Sequence, residues 1–144
     1  FAFTGTSGKR SVVLFVEDSF GNQAKSAAVT VTYDTTPPVA GTITATKDAT
    51  AGSSGKIKVV LTKKPVDTNL GGWFLVAAEE TTVSCDATPV ATGSTYPALN
   101  TQLALVSGLS AGSGYSLALC AIDKAGNVTK SAVVTATSSG TASP

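Results

Sequence analysis

The sequence predicts an all-β protein: an antiparallel sandwich preceded by a second, partial copy of its own last two strands. Three observations predict it. Short runs of alternating apolar and polar residues, rich in Val, Ala, Leu, Thr and Ser, recur between turn residues along the chain. No window carries the 3.6-residue period of an amphipathic helix of useful length. The segment Ser11 to Asn22, with its return strand Lys25 to Tyr33, recurs after a shift of 105 residues within Tyr115 to Asn127 and the return strand Thr129 to Thr137. The copies match at Ser11/Ser116, Leu14/Leu119, Asp18/Asp123, Gly21/Gly126 and Asn22/Asn127, and again at Lys25/Lys130, Ser26/Ser131 and Val29/Val134. A repeat of that length is one sandwich module of about 100 residues.

Composition narrows the partners. The 144 residues are 42% hydrophobic and 13% charged, so a packed core is feasible and wholesale disorder is not expected. Net charge is +1 and no basic patch is interleaved with aromatics, which argues against nucleic acid. Histidine is absent, removing the commonest general base and a frequent metal ligand. No apolar run approaches the roughly 20 residues of a membrane span, and no signal peptide is recognisable. The chain opens on Phe1 without an initiator methionine and reads as an internal or processed segment, any export signal lying upstream.

Residues 1–36 read as the closing hairpin and linker of an incomplete module: Ser11 to Glu17, the turn Asp18-Ser-Phe-Gly-Asn22, then Ala24 to Tyr33. A lone hairpin is marginal in water. Either the rest of its module was removed, or another chain completes it by strand addition, or its strands join the downstream domain. Asp34-Thr-Thr-Pro-Pro38 is the linker, where two prolines fix φ and stop either neighbouring strand from running through. Residues 37–138 read as seven strands: Gly41 to Thr46, Lys56 to Lys63, Gly72 to Glu79, Thr81 to Ser84, Thr101 to Ser107, Tyr115 to Ile122 and Thr129 to Thr137. Ile57, Val59 and Leu61 share one face of the second, and Leu103 and Leu105 alternate on the fifth. Residues 139–144 read as a flexible tail or further linker.

At Leu109-Ser-Ala-Gly-Ser-Gly-Tyr115 the chain resembles the end of a fibronectin type III domain, whose Leu-x-Pro-Gly-x-x-Tyr segment supplies a tyrosine corner; Ala111 stands in the proline's place. Ala-Ile-Asp-Lys-Ala-Gly-Asn-Val and the diproline linker resemble tandem Ig-like and type III modules of large bacterial surface proteins. The resemblance implies an Ig-like/fibronectin type III-like sandwich with Tyr115, Leu117, Leu119 and Trp73 in the core. It implies little about function, because this fold hosts many unrelated activities.

Cys85 and Cys120 are the only cysteines. They are either two buried thiols in a reducing compartment or a disulfide in an oxidising one. If Tyr115, Leu117 and Leu119 face the core, Cys120 lies on the outer face of its sheet, and a bond to Cys85 would tie the intervening loop across that face. Similar bacterial type III modules often carry a pair placed this way, so the resemblance implies the same bond.

The Asp-x-x-Gly-Asn turns offer Asp18 and Asp123, with Asp34 beside the linker, as calcium candidates. Calcium takes six to eight oxygens, however, and the nine acidic residues are scattered. Turn chemistry alone accounts for them: Asp accepts backbone N–H bonds while Gly and Asn take left-handed φ. Trp73, with Phe74 and Tyr96, is either core or an exposed patch for a glycan or protein. Lys56, Lys58, Lys63 and Lys64 make a stripe best explained as a solvated strand face. Asn127-Val-Thr129 is a glycosylation sequon.

Gly108-Leu-Ser110-Ala-Gly112 matches a nucleophile elbow, but that device needs a following helix and a histidine. Ser53-Ser-Gly-Lys56 has Ser-x-x-Lys spacing in a loop, where nothing holds the pair on one face. Glu79 and Glu80 are neighbours on opposite strand faces. No enzyme is expected. The expected function is a non-catalytic spacer in a bacterial cell-surface or secreted protein, an adhesin or fibre component. The alternatives are a glycan- or protein-binding module, or an accessory domain of an extracellular hydrolase. Expected partners are neighbouring modules of the same chain, a surface glycan or protein, or another copy through the incomplete hairpin.

Overall fold

The structure is a computed structural model that describes residues 2–141. Its chain divides into two compact units, Phe1–Thr36 and Pro37–Pro144, with the division between Thr36 and Pro37.

The first unit is a two-stranded ribbon. β1 (Gly8–Val12) pairs antiparallel with β4 (Val29–Tyr33), and β2 (Phe15–Glu17) with β3 (Gln23–Lys25). The ribbon is interrupted where Leu14 meets Ser26. There the Leu14 N–H donates to Ser26 Oγ at 3.0 Å, the Ser26 N–H donates to the Leu14 carbonyl at 2.9 Å, and the Ser26 hydroxyl donates to the Ala27 carbonyl.

The second unit is a sandwich of two antiparallel sheets. One has the order β5 (Thr42–Lys47), β6 (Ile57–Lys63), β9 (Thr101–Val106). The other is centred on β10 (Gly114–Asp123), with β7 (Leu70–Ala78) and β8 (Ala91–Gly93) on one side. On its other side lie β11 (Val128–Lys130) and β12 (Val134–Thr137). Ile43, Ile57, Val59, Leu61 and Val106 from the first sheet meet Trp73, Leu75, Leu117 and Leu119 from the second. Each fully buried large aliphatic side chain contributes roughly 1.5–3 kcal/mol. The alternation in β6 arises because its other face is solvated. β10 is buried almost continuously from Ser116 to Ala121, because both of its faces are covered. Leu117 and Leu119 face the core, while Ala118 and Cys120 join Val76 and Val83 in a second apolar cluster on the outer face.

Five expectations need correction. Thr81 to Ser84 is loop; the short strand after β7 is Ala91–Gly93. That position follows from Trp73, whose ring lies against Gly93: a Cβ there would come 2.5–2.7 Å from the indole atoms. The last strand is not continuous either, since Ser131 interrupts it as Ser26 interrupts the first ribbon, with its hydroxyl accepting the Leu119 N–H at 2.9 Å. In β9 a bulge at Leu103 resets the phase, so Val106 is buried and Leu105 faces out. In the turns, Gly21 and Gly126 take positive φ, but Asn22 and Asn127 do not. The Asn side chains instead donate to the turn aspartates. Finally, Ser139, the first residue of the expected loose end, is 1% exposed, and Ser138 before it is 0% exposed. The module therefore runs at least to Ser139; residues 142–144 of the expected tail lie outside the described residues.

Candidate functional site

Cross-links gather in the second unit on the outer face of the β7–β10 sheet, at the turn after β10 and at the exit of the last strand. The segment after β7 folds back across that face. Cys85 is disulfide-bonded to Cys120, with their Cα atoms 5.9 Å apart. Cys120 is fully buried between Val76, Ala118 and Val83. Lys130 adds a second tie by donating its ammonium to the Val83 carbonyl at 2.7 Å. The staple thus sits outside the core, as the outward position of Cys120 requires.

Tyr115 marks where β10 enters the sheet. Its phenol oxygen accepts the Ser110 N–H at 2.9 Å and donates to Glu79 at 2.8 Å. That is the tyrosine-corner bond back to the preceding loop, and it also reaches the start of the stapled segment. Tyr115→Phe is expected to lower unfolding free energy by about 0.5–1.5 kcal/mol, the net worth of a hydrogen bond, since the exposed Ser110 N–H can rehydrate. Denaturant titration at unchanged slope is the check.

The turn after β10 is closed by Asp123. One carboxylate oxygen accepts the N–H groups of Ala125 (2.8 Å) and Asn127 (2.9 Å), and the other accepts the Asn127 amide at 2.8 Å. Asp18 makes the same three bonds, at 2.9, 2.9 and 2.8 Å, to Phe20 and Asn22. The repeat read from sequence therefore holds at the level of individual hydrogen bonds. Burial pushes the Asp123 carboxyl up, but the Asn127 side chain and the backbone N–H groups of Asn127, Ala125 and Gly126 outweigh it. The net effect holds the pKa below the ordinary 3.8. A depressed folded pKa gives stability that is full above the unfolded value and is lost as pH falls through the folded one. Asp123→Asn should accordingly be destabilising at pH 7, with the gap to wild type narrowing below about pH 4. Denaturation midpoints measured at pH 7 and pH 3 test this.

A polar lock fastens the C-terminal strand at its exit. The Ser138 N–H donates to the Ser113 carbonyl at 2.9 Å, and its hydroxyl donates to the Ser110 carbonyl at 2.5 Å. The Ser139 N–H donates to the Lys56 carbonyl at 2.8 Å, its carbonyl accepts the Gly55 N–H, and its hydroxyl accepts the Lys56 N–H at 3.0 Å. Ser53 gives its proton to Asp48, so the 3.1 Å contact between the Ser53 and Ser139 hydroxyls runs with Ser139 as donor. The Ser53 and Thr50 hydroxyls hold the Asp48 carboxyl below the usual range. Composition alone did not reveal this lock, because a run of Ser, Gly and Thr reads as linker.

The remaining candidates are placed as follows. Trp73 is 7% exposed and donates its indole N–H to the Thr95 carbonyl at 2.7 Å. Its faces are enclosed, so the stacking-platform alternative loses its principal residue. Phe74 points to the opposite face and packs on the outer cluster. Tyr96 packs on the core, bonds the Gly72 carbonyl at 2.9 Å, and has its pKa pushed up to about 12 by burial. The three therefore do not form one aromatic patch. Asp34 accepts the Ser7 hydroxyl and the Thr36 N–H. Ser110 contributes backbone groups to the tyrosine corner and the lock, and Ser53 is bound to Asp48. Asn127, the sequon asparagine, is engaged with Asp123. Two open concavities of ≈ 350 and ≈ 360 Å³ flank the stapled segment, one lined by Glu79 and Tyr115, the other by Cys85 and Lys130.

No protein-family model and no curated protein matches the chain. Among solved structures it is similar to the FN1–FN3 domains of chicken CNTN1, at 14% identity and a TM-score of 0.58. The match covers 95% of this chain and 44% of that one, so this chain spans less than half the length of that neighbour. The fold is a fibronectin type III-like β-sandwich. Its disulfide is of a kind that persists in oxidising environments, and the fold by itself assigns no activity.

Proposed function

We propose that the chain is a non-catalytic spacer from a tandem array of such modules in a secreted or surface-attached bacterial protein, an adhesin or fibre component. The observation that carries this reading is where the cross-links lie. A covalent staple crosses the outer face of the central sheet, and a buried hydroxyl network clamps the last strand as it leaves the domain. Each link joins strands or segments that would otherwise separate, and the two concavities beside the staple are open to solvent. The repeated hairpin supports the tandem arrangement, and the bond between Cys85 and Cys120 suits an oxidising, extracellular setting. Pro37 and Pro38 fix two successive φ angles at the start of the second unit.

The test is replacement of residues 37–139, within the parent protein, by an unrelated sandwich of equal length. A spacer predicts unchanged attachment of the host cell or particle to its target. Lost attachment with display on the surface retained would instead assign recognition to this module.

A further inference from the structure

The second unit gives β10 a neighbour on each edge, β11 and β12 on one and β7 on the other. The β7 register sets Ala118 against Val76, Leu119 against Leu75 and Cys120 against Phe74. The first unit has only the return-strand side of this arrangement: β1 pairs with β4 and β2 with β3. Among the described residues no strand pairs with the other edge. Yet the hairpin is built the same way, down to the Leu14–Ser26 and Asp18–Asn22 bonds. Because the backbone groups of Leu14 turn to Ser26, those of Val13 and Phe15 turn to the open edge.

Burial differs where bonding does not. Leu14, Phe15 and Val16 are 66%, 62% and 59% exposed, whereas their counterparts Leu119, Cys120 and Ala121 are 1%, 0% and 1% exposed. The ribbon carries an open edge and an uncovered apolar face together. A single added peptide strand would close the edge alone. A second copy of the ribbon would also close the edge but brings no opposing sheet.

We propose that the β1–β2 edge is a strand-acceptor site whose occupant is a five-strand half-sandwich of the β5–β9 kind. It would enter with a β7-like strand antiparallel to β1–β2. In the β7 register, the residue in Leu75's place lies opposite Leu14 and the one in Phe74's place lies opposite Phe15. The opposing sheet of the half-sandwich then covers the Leu14 and Val16 face. This inference rests on the repeat and the burial difference, and stands whether or not the chain serves as a spacer.

The test uses the full 144-residue chain, isotope-labelled, with the unlabelled polypeptide Pro37–Leu105 carrying Cys85→Ala as probe, followed by amide hydrogen exchange. At a probe concentration 100 times its Kd, exchange of the Val13 and Phe15 amides should slow on the order of 100-fold, with β10 unchanged. Leu14→Asp should abolish the slowing. A fused chain, with Pro37–Leu105 joined directly to Phe1 so that the 105-residue spacing is restored, should give a second cooperative unfolding unit. Fast exchange at Val13 and Phe15 in both formats overturns the proposal. So does protection that appears without probe and rises with chain concentration, which would make a second copy the occupant.

Discussion

Replacing Trp73 by alanine is expected to remove about 3–5 kcal/mol of stability, the range for deleting a large aromatic from a core. The residue is the bulkiest member of the central cluster, which also holds Ile43, Ile57, Leu61 and Leu119. Its indole also occupies the space above Gly93, so the cavity left behind borders backbone that collapses poorly. The Thr95 carbonyl that accepts the indole N–H belongs to an exposed residue and can rehydrate, so the lost bond adds little. Trp73→Phe should cost much less than Trp73→Ala. Equal losses for both would place the effect in the hydrogen bond and contradict the packing account. Denaturant midpoints for the two variants decide it, provided the slope is unchanged.

The second large effect is expected from Cys85→Ala. Opening the link between Cys85 and Cys120, 35 residues apart, should cost about 4 kcal/mol in the chain-entropy description. Cys85 is the informative partner because it is only partly buried. Cys120 then remains as a small apolar side chain in the outer cluster and leaves no cavity. The difference should vanish when wild type and variant are compared in reductant. A variant that melts with the wild type under oxidising conditions would show that the stapled segment is held by Val83 and the Lys130 contact alone.

Much of this was legible in the chain, for identifiable reasons. Alternation in β6 picked out Ile57, Val59 and Leu61 because that strand is buried on one face only. Tyr115 and the paired Asp-x-x-Gly-Asn turns were readable because each is a local device whose residues specify their own hydrogen bonds. Cys120 could be placed on the outer face from the parity of its neighbours. What sequence missed was set by contacts made elsewhere. Ala91–Gly93 is a strand because Gly93 fits beneath Trp73, a long-range demand absent from its own composition. The Leu103 bulge is a pairing event between β6 and β9, so the pattern within β9 alone misassigns Leu105. Ser138 and Ser139 look like linker, yet they are buried because two separate segments, 53–56 and 110–113, supply partners for their polar atoms.

As a spacer, the second unit should be a mechanically closed module whose disulfide shields part of the chain from load. Pulling a single molecule between residues 37 and 139 tests it most directly. With the disulfide intact, the segment from Cys85 to Cys120 cannot extend, so reduction should lengthen the unfolding step by about 110–120 Å, at 3.3–3.6 Å per residue less the span of the bond. Oxidised molecules should also unfold in one step at higher force than reduced ones. Equal step lengths in the two states would mean that the staple does not carry the load, and the spacer reading would lose its mechanical basis.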